Sequence, residues 1–279
     1  MPAEAHSSVA LVVTLYFEHL ALSPTSYLHK DEQHVRGRSL PRYRQHGWLE
    51  YGNRVGIFRI LDLLDRHALR ATVAANSQAC SAYPQLVEMF ATRGYEFAAH
   101  GQDASYTPPA DEAAFMRDCA ASVTAASGAP VTGWISQDFL QSGNAVISAR
   151  AAGLRYVADF ANDDMPFMLD GVEDVVCVPA QYELDDVRVL YDRRVNAWDY
   201  ADMLVEGYGV LAAEARTAPK VMSLSIHPWV LGMPHRFRHL SGAIERIVAT
   251  GGYWNPTAGE LAEWYRRELA KTRPAFRFT

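Results

Sequence analysis

The chain has 279 residues, 49% of them hydrophobic, and a formal net charge of -6. That length and apolar content suffice for one large core, and the acidic balance argues against a nucleic-acid or anionic-membrane partner. No apolar run approaches the roughly 20 residues that span a bilayer. MPAEAHSS has no basic region leading into an apolar stretch, so a secretory leader is not expected. The three cysteines, Cys80, Cys119 and Cys177, show no CxxC spacing. Buried thiols in a reducing compartment, the cytoplasm by default, are the expectation.

In chain order, residues 9–17 (VALVVTLYF) form an apolar, β-branched run that suits a strand buried on both faces. Residues 20–52 carry Pro24, Pro41 and many charges without a period, which reads as one long loop. Following Glu18 directly, it is expected to lie over or beside the site. NRVGIFRILDLLDRHAL sets Val55, Phe58, Leu61 and Leu64 three residues apart, predicting an amphipathic helix from about Asn53. ATVAANS (71–77) predicts a strand, YPQLVEMFATRG (83–94) a helix opened by Pro84 and stopped by Gly94, and YEFAAHG a strand. Helices are then predicted over 111–127, 144–153, 196–216, 236–250 and 258–269, and strands over 130–136, 154–160, 172–180 and 220–227. Such alternation predicts a parallel sheet covered by helices within a single domain spanning 1–279, either an α/β barrel or a doubly wound sheet. Neither GxGxxG nor GxxxxGK[ST] is present, so no nucleotide cofactor is indicated.

Three chemistry-bearing residues each follow a strand-like run: Glu18 after VALVVTLYF, His100 after GYEFAA and His227 after KVMSLSI. Catalytic groups in parallel barrels sit where strands end. Taken singly, each reads as an ordinary loop residue. Together they read as metal ligands or as general acid and base. Asn162, Asp163 and Asp164 either bind substrate or orient a histidine, or else cap a turn before Pro166. Trp134 and Trp229 form either an aromatic wall or core packing. Tyr182, with Glu183 and Asp185, stands after another strand end, where a solvated acidic loop is the plainer reading. His235, Arg236, Arg238 and His239 make a basic helix start, from which Arg236 is the candidate partner for an anionic substrate group.

The order of EYGNRVGIFRILDLLDRHALRATV, GYEFAAHG, GW at 133–134, GLRYVADFANDDMPF and LSIHPWVLGMPHR resembles the polysaccharide deacetylase (NodB-homology) superfamily. The chain is most similar to its branch of allantoinases and cyclic imide hydrolases. The resemblance implies a distorted (β/α) barrel of about seven strands, often homo-oligomeric as a dimer or tetramer. It also implies a small-molecule substrate and a divalent metal, zinc foremost, or no cofactor. Glu18 and His100 occupy metal-ligand positions, and Glu18, His100 and His227 catalytic ones. Trp134, Asp163, Asp164, Tyr182, Trp229 and Arg236 are the substrate-binding candidates. The chain departs from the deacetylase pattern in three places. His19 replaces the second acid, Ala104 the second ligand histidine, and Ile135–Ser136 the arginine. The expected activity is hydrolysis of a non-peptide C–N bond in a small cyclic amide, imide or ureide. The alternatives are a metal-dependent deacetylase of an N-acetylated sugar or amine, and a barrel that binds a ligand without catalysis.

Overall fold

The structure, a computed structural model, describes residues 8–22, 43–104, 109–139, 141–268 and 275. Among these the strands are β1 (Val9–Phe17), β2 (Thr72–Ala75), β3 (Glu96–Ala99), β4 (Gly133–Trp134), β5 (Tyr156–Phe160), β6 (Phe167–Leu169), β7 (Val172–Pro179), β8 (Lys220–Ile226) and β9 (Tyr253–Trp254). They form one sheet in the order β6-β7-β5-β4-β3-β2-β1-β8, with β9 also on β1. The seven strands from β7 to β8 run parallel, and β6 lies antiparallel on β7. From β1 to β5 chain and spatial order agree, because helices return the chain to the start of each next strand.

β1 is paired on both edges, Thr14–Phe17 against Thr72–Ala75 and Val9–Leu15 against Lys220–Ile226. Between β7 and β8 there is no backbone ladder. The Gln181 side chain spans that seam. Its Nε2 donates to the Val221 carbonyl at 2.9 Å, and its Oε1 accepts from Ser223 N at 2.5 Å. Val221 N donates to the Asp164 carbonyl at 2.8 Å. The ring of strands is thus a distorted barrel whose last seam is bridged by these bonds and by the Ser223 hydroxyl on the Pro179 carbonyl, with no backbone ladder.

Side chains alternate faces along a strand, and this sorts the core. Ala10, Val12 and Tyr16 of β1 turn inward with Ala74, Ala98, Ile135, Tyr156, Ala158 and Val221. Val9, Leu11, Val13, Leu15 and Phe17 turn outward onto Ile57, Ile60, Leu61 and Leu64 of the covering helix. Two residues beyond Tyr16, Glu18 continues the inner row. His100 continues it from Ala98, and His227 from Ser223 and Ser225. The alternation therefore delivers all three to the same mouth.

Several expectations need correction. Within 20–52, residues Tyr43–Tyr51 are helical, and 23–42 lie outside the described residues, so the lid proposed there does too. The next helix begins as a π-turn, Gly52–Gly56, and runs on as Ile57–Arg66. Val55 and Phe58 are 39% and 42% exposed, because Ile57, Ile60, Leu61, Leu63 and Leu64 form the buried face. The strand expected over 130–136 shortens to Gly133–Trp134. A Cβ on Gly133 would overlap the Tyr156 ring, so only glycine lets the strands close there. No described helix is long and apolar enough to cross a membrane.

Candidate active site

Consecutive strand ends are tied edge to edge. Asn76 N donates to the Phe17 carbonyl at 3.0 Å, His100 N to Ala75 at 3.0 Å, and Ile135 N to Ala99 at 3.0 Å. Asn76, fully buried, adds a brace: its Oδ1 accepts from His19 N at 3.1 Å and its Nδ2 donates to the His100 carbonyl. Glu18 is held at its backbone carbonyl by Asn53 Nδ2 at 2.7 Å and at Oε2 by the Trp229 indole N–H at 3.1 Å. Both donors sit where two helices nearly touch. A Cβ on Gly56 would lie 2.2 Å from the Pro228 carbonyl oxygen, and one on Gly232 would lie 2.4 Å from the Gly56 Cα. Only glycines permit that approach, which gives the YGNRVG and LGMP stretches a structural purpose.

His100 is buried, with Nδ1 2.8 Å from the Ile135 carbonyl, so Nδ1 carries the proton and donates it. Its Nε2 lies 3.6 Å from Glu18 Oε1, beyond hydrogen-bond length, and has no hydrogen-bond partner among the described residues. Opposite, His227 Nδ1 lies 2.5 Å from Asp186 Oδ1, and His227 N donates to Asp186 Oδ2 at 2.8 Å. Nδ1 being taken, Nε2 is the nitrogen left for the cleft. Tyr16 lies between the two histidines, stacked on His227 at 3.8 Å and edge-on to His100 at 5.2 Å. Tyr16, Glu18, Ala104, Ser136, Gln137, Phe139, Asp185, His227 and Trp229 line the cleft.

Burial opposes every charge here, and the partners decide the outcome. For His227, burial pushes the imidazole down, but Asp186, Glu18 and Asp185 raise it to about 9. For Glu18, burial pushes up, but His100, His227 and the Trp229 indole bring it down to about 2. Asp159 and Asp185 are each raised by burial to about 6. Asp159 accepts from Ser136 N at 2.6 Å and Ser136 Oγ at 2.8 Å. Asp185 Oδ1 accepts from Val187 N and Arg188 N, while its Oδ2 is buried without a partner.

The implied divalent metal fits these residues poorly. Glu18 and His100 offer two donors where a catalytic zinc takes about three, and Ala104, at the cleft wall, offers none. His19 turns away, its ring 6.2 Å from His46 and 6.1 Å from Tyr83. Among the described residues, Asp185, Asp186 and His227 are the group whose donors lie within 4.8 Å of one another. A cation there would have to displace the proton of His227 and break its bond to Asp186.

Of the remaining candidates, Trp229 lines the cleft against Glu18. Trp134 does not. Strand alternation sends it outward from its inward neighbour Ile135, into packing with Phe115 and Met116, and its indole donates to Ser136 Oγ at 3.0 Å. Asp163 caps a turn at Met165 N, 3.0 Å away. Asp164 pairs with Lys220 at 3.1 Å, at the start of β8, whereas His227 stands at its end, about 20 Å away at strand rise. Tyr182, 41% exposed, is at the rim, edge-on to Phe139 at 5.1 Å and 5.3 Å beneath the Arg188 guanidinium. Arg236 is half-buried, and Asp186 and Tyr191 offset the cost of its burial. Sequence reasoning missed Asp186, Asp159 and Tyr16. The DD pair after β7 was the available signal for Asp186; an aspartate and a tyrosine inside strands gave none.

Residues 50–157 match the polysaccharide deacetylase family model. A provisionally named polysaccharide deacetylase of Schizosaccharomyces pombe is 27% identical over 235 residues, 77% of this chain and 73% of the relative. The crystal structure of a protein from Pseudomonas aeruginosa PAO1, designated a probable polysaccharide deacetylase, superposes with a TM-score of 0.85 at 22% identity, covering 96% of this chain and 94% of that one. PuuE allantoinase superposes with a TM-score of 0.83 at 22% identity, covering 96% and 93%. Residues 50–157 are thus similar to polysaccharide deacetylases, and nearly the whole chain carries the α/β fold of these two solved structures.

Proposed function

We propose that the protein hydrolyses a non-peptide carbon–nitrogen bond in a small cyclic amide, imide or ureide. One observation carries the reading: the Glu18 carboxylate and the His227 imidazole, anchored on Asp186, face one cleft whose third metal-ligand position is Ala104. A water donating to Glu18 Oε1, with the buried His100 ring 3.6 Å behind the carboxylate, would have its lone pairs free for a carbonyl carbon. Glu18, held at about 2, is a weak base, so its first task is to orient that water and stabilise positive charge. As water adds and the C–N bond breaks, Glu18 takes the water's proton and His227 Nε2 gives its own to the departing nitrogen. Asp186 stays ionised, as an orienting partner does. The ring opens to a carboxylic acid and a free amine or amide, and the proton on Glu18 returns to His227 through solvent. The likeness to PuuE allantoinase supports this reading.

A second reading, metal-dependent deacetylation of an N-acetylated sugar or amine, draws on the family match but must place its metal on Glu18 and His100 alone. A third, a ligand-binding barrel without catalysis, draws on Ala104 and Ile135 at the changed positions. A homo-oligomer working in the cytoplasm on a small molecule completes the proposal. The test is a panel of hydantoins, allantoin, succinimide-type imides and N-acetylglucosamine oligomers, with and without chelator. Ring opening that survives chelation is the expected result. Chelator-sensitive acetate release without ring opening establishes the second reading, and no turnover at all the third.

A further inference from the structure

We infer that Tyr16 is a positioning residue that aligns the His227 imidazole with the cleft and backs the ring of His100. The role in catalysis rests on the hydrolysis proposed above; the alignment itself does not. The two rings lie 3.8 Å apart and 10° from parallel, while the edge contact to His100 is 5.2 Å at 72°. Tyr16 is buried on β1, the strand paired along both edges. The phenol therefore has little room to turn.

His227 needs such a support. The bond to Asp186 restrains Nδ1, but a single hydrogen bond bends easily and leaves the ring a range of tilt about Cβ–Cγ, a torsion with broad preferences. A flat face against the ring removes that freedom and fixes where Nε2 points. The phenol also suits a charged partner. Burial and the charges of Asp185, Asp186 and Asp159 hold its ionisation well above the usual tyrosine range, so it stays neutral. A neutral aromatic face attracts a cation. The other groups bearing on His227 are Asp186 and Asp185 after β7, Glu18 after β1, and Trp229 at 6.1 Å on the following helix. The carboxylates supply charge and Trp229 an edge; Tyr16 supplies the parallel surface. Barrel filling alone would ask only for volume at this position.

The test compares the full-length protein with Tyr16→Leu, Tyr16→Met and Tyr16→Phe, using histidine-labelled samples and NMR of the ring protons. Stacking under a phenol shifts the His227 ring protons upfield. Tyr16→Leu and Tyr16→Met are expected to lose that shift and to lower kcat about 10- to 100-fold, as misalignment does, with KM within about twofold. Tyr16→Phe restores the face without the hydroxyl and is expected to recover the shift and most of kcat. Methionine is unbranched and adapts to an irregular gap better than leucine, so it serves if leucine unfolds the barrel. An unchanged shift in folded Tyr16→Met overturns the alignment. A lost shift with kcat intact overturns the catalytic role. Wild-type protein that shows the upfield shift but opens no ring overturns the hydrolysis and upholds the alignment.

Discussion

The two ends of the cleft are built to different degrees of completion. At the His227 end, Asp186 takes both the backbone N–H and Nδ1 of the histidine, and Tyr16 covers a ring face. At the Glu18 end, the carboxylate and His100 stand 3.6 Å apart, and the buried Nε2 has no hydrogen-bond partner among the described residues. Buried polar atoms are rarely left so. The difference teaches which end belongs to the protein alone and which is finished by what enters. The proton donor is assembled in advance, while the gap beside Glu18 has the polarity of a place for a small hydrogen-bonding guest.

The most damaging way to break this comparison is to undo the completed end. Asp186→Asn should cost about 3–5 kcal/mol, because it strips a buried imidazolium of its counter-charge, and activity should fall with it. Chemical denaturation and kinetics on the same samples measure both. Glu18→Gln strikes the open end instead. Activity should drop about 100- to 10,000-fold, with less stability lost than in Asp186→Asn, because Glu18 acts on His227 more weakly than Asp186 does; a loss as large as that of Asp186→Asn would show that this end too is structural.

The pH dependence sharpens the contrast. His227 ionises at about 9 in the fold, above its ordinary value of about 6.5. Its contribution to stability is therefore fully present below about 6.5 and is lost as pH climbs through about 9. kcat should fall tenfold per pH unit above about 9, since the donor is then empty. Asp186→Asn should move that limb to lower pH, and Glu18→Gln should move it less, as Asp186 acts more strongly on His227. Chelation should change turnover of a cyclic substrate by less than about twofold, two donors being too few for a tight zinc site. The smallest effect should come from Trp134→Phe, which removes one hydrogen bond, to Ser136, about 1 kcal/mol. KM should stay unchanged, because that indole is outside the cleft. A raised KM would return Trp134 to the binding wall.

The alternation of strand and helix was legible because apolar runs and glycine stops are local signals, as at Val9–Phe17 and Gly94. The convergence of Glu18, His100 and His227 was legible for a topological reason: parallel strands end on one side. Asp164 misled because its motif follows β5, yet the chain there crosses to the start of β8, a fact of the seam and not of the local sequence. Val55 and Phe58 misled because the π-turn shifts the register of the helix behind it. Asp186 stayed hidden because two adjacent aspartates look like solvent-exposed charge until a buried partner 41 residues away is known.

Gln181 carries a final consequence. A barrel fastened along every strand pair would breathe only by unfolding, but this one is held at one seam by a few bonds from Gln181, the Ser223 hydroxyl and the Asp164 carbonyl in place of a backbone ladder. Asp185 and Asp186 leave the chain just beyond one lip, and His227 ends the other. Stretching that seam would part the acid from its counter-ion while leaving β1, paired on both edges, undisturbed. In hydrogen exchange the Val221 and Ser223 amides should open well before those of Val12 and Val13, so the first fluctuation of this fold is also the one that disarms it.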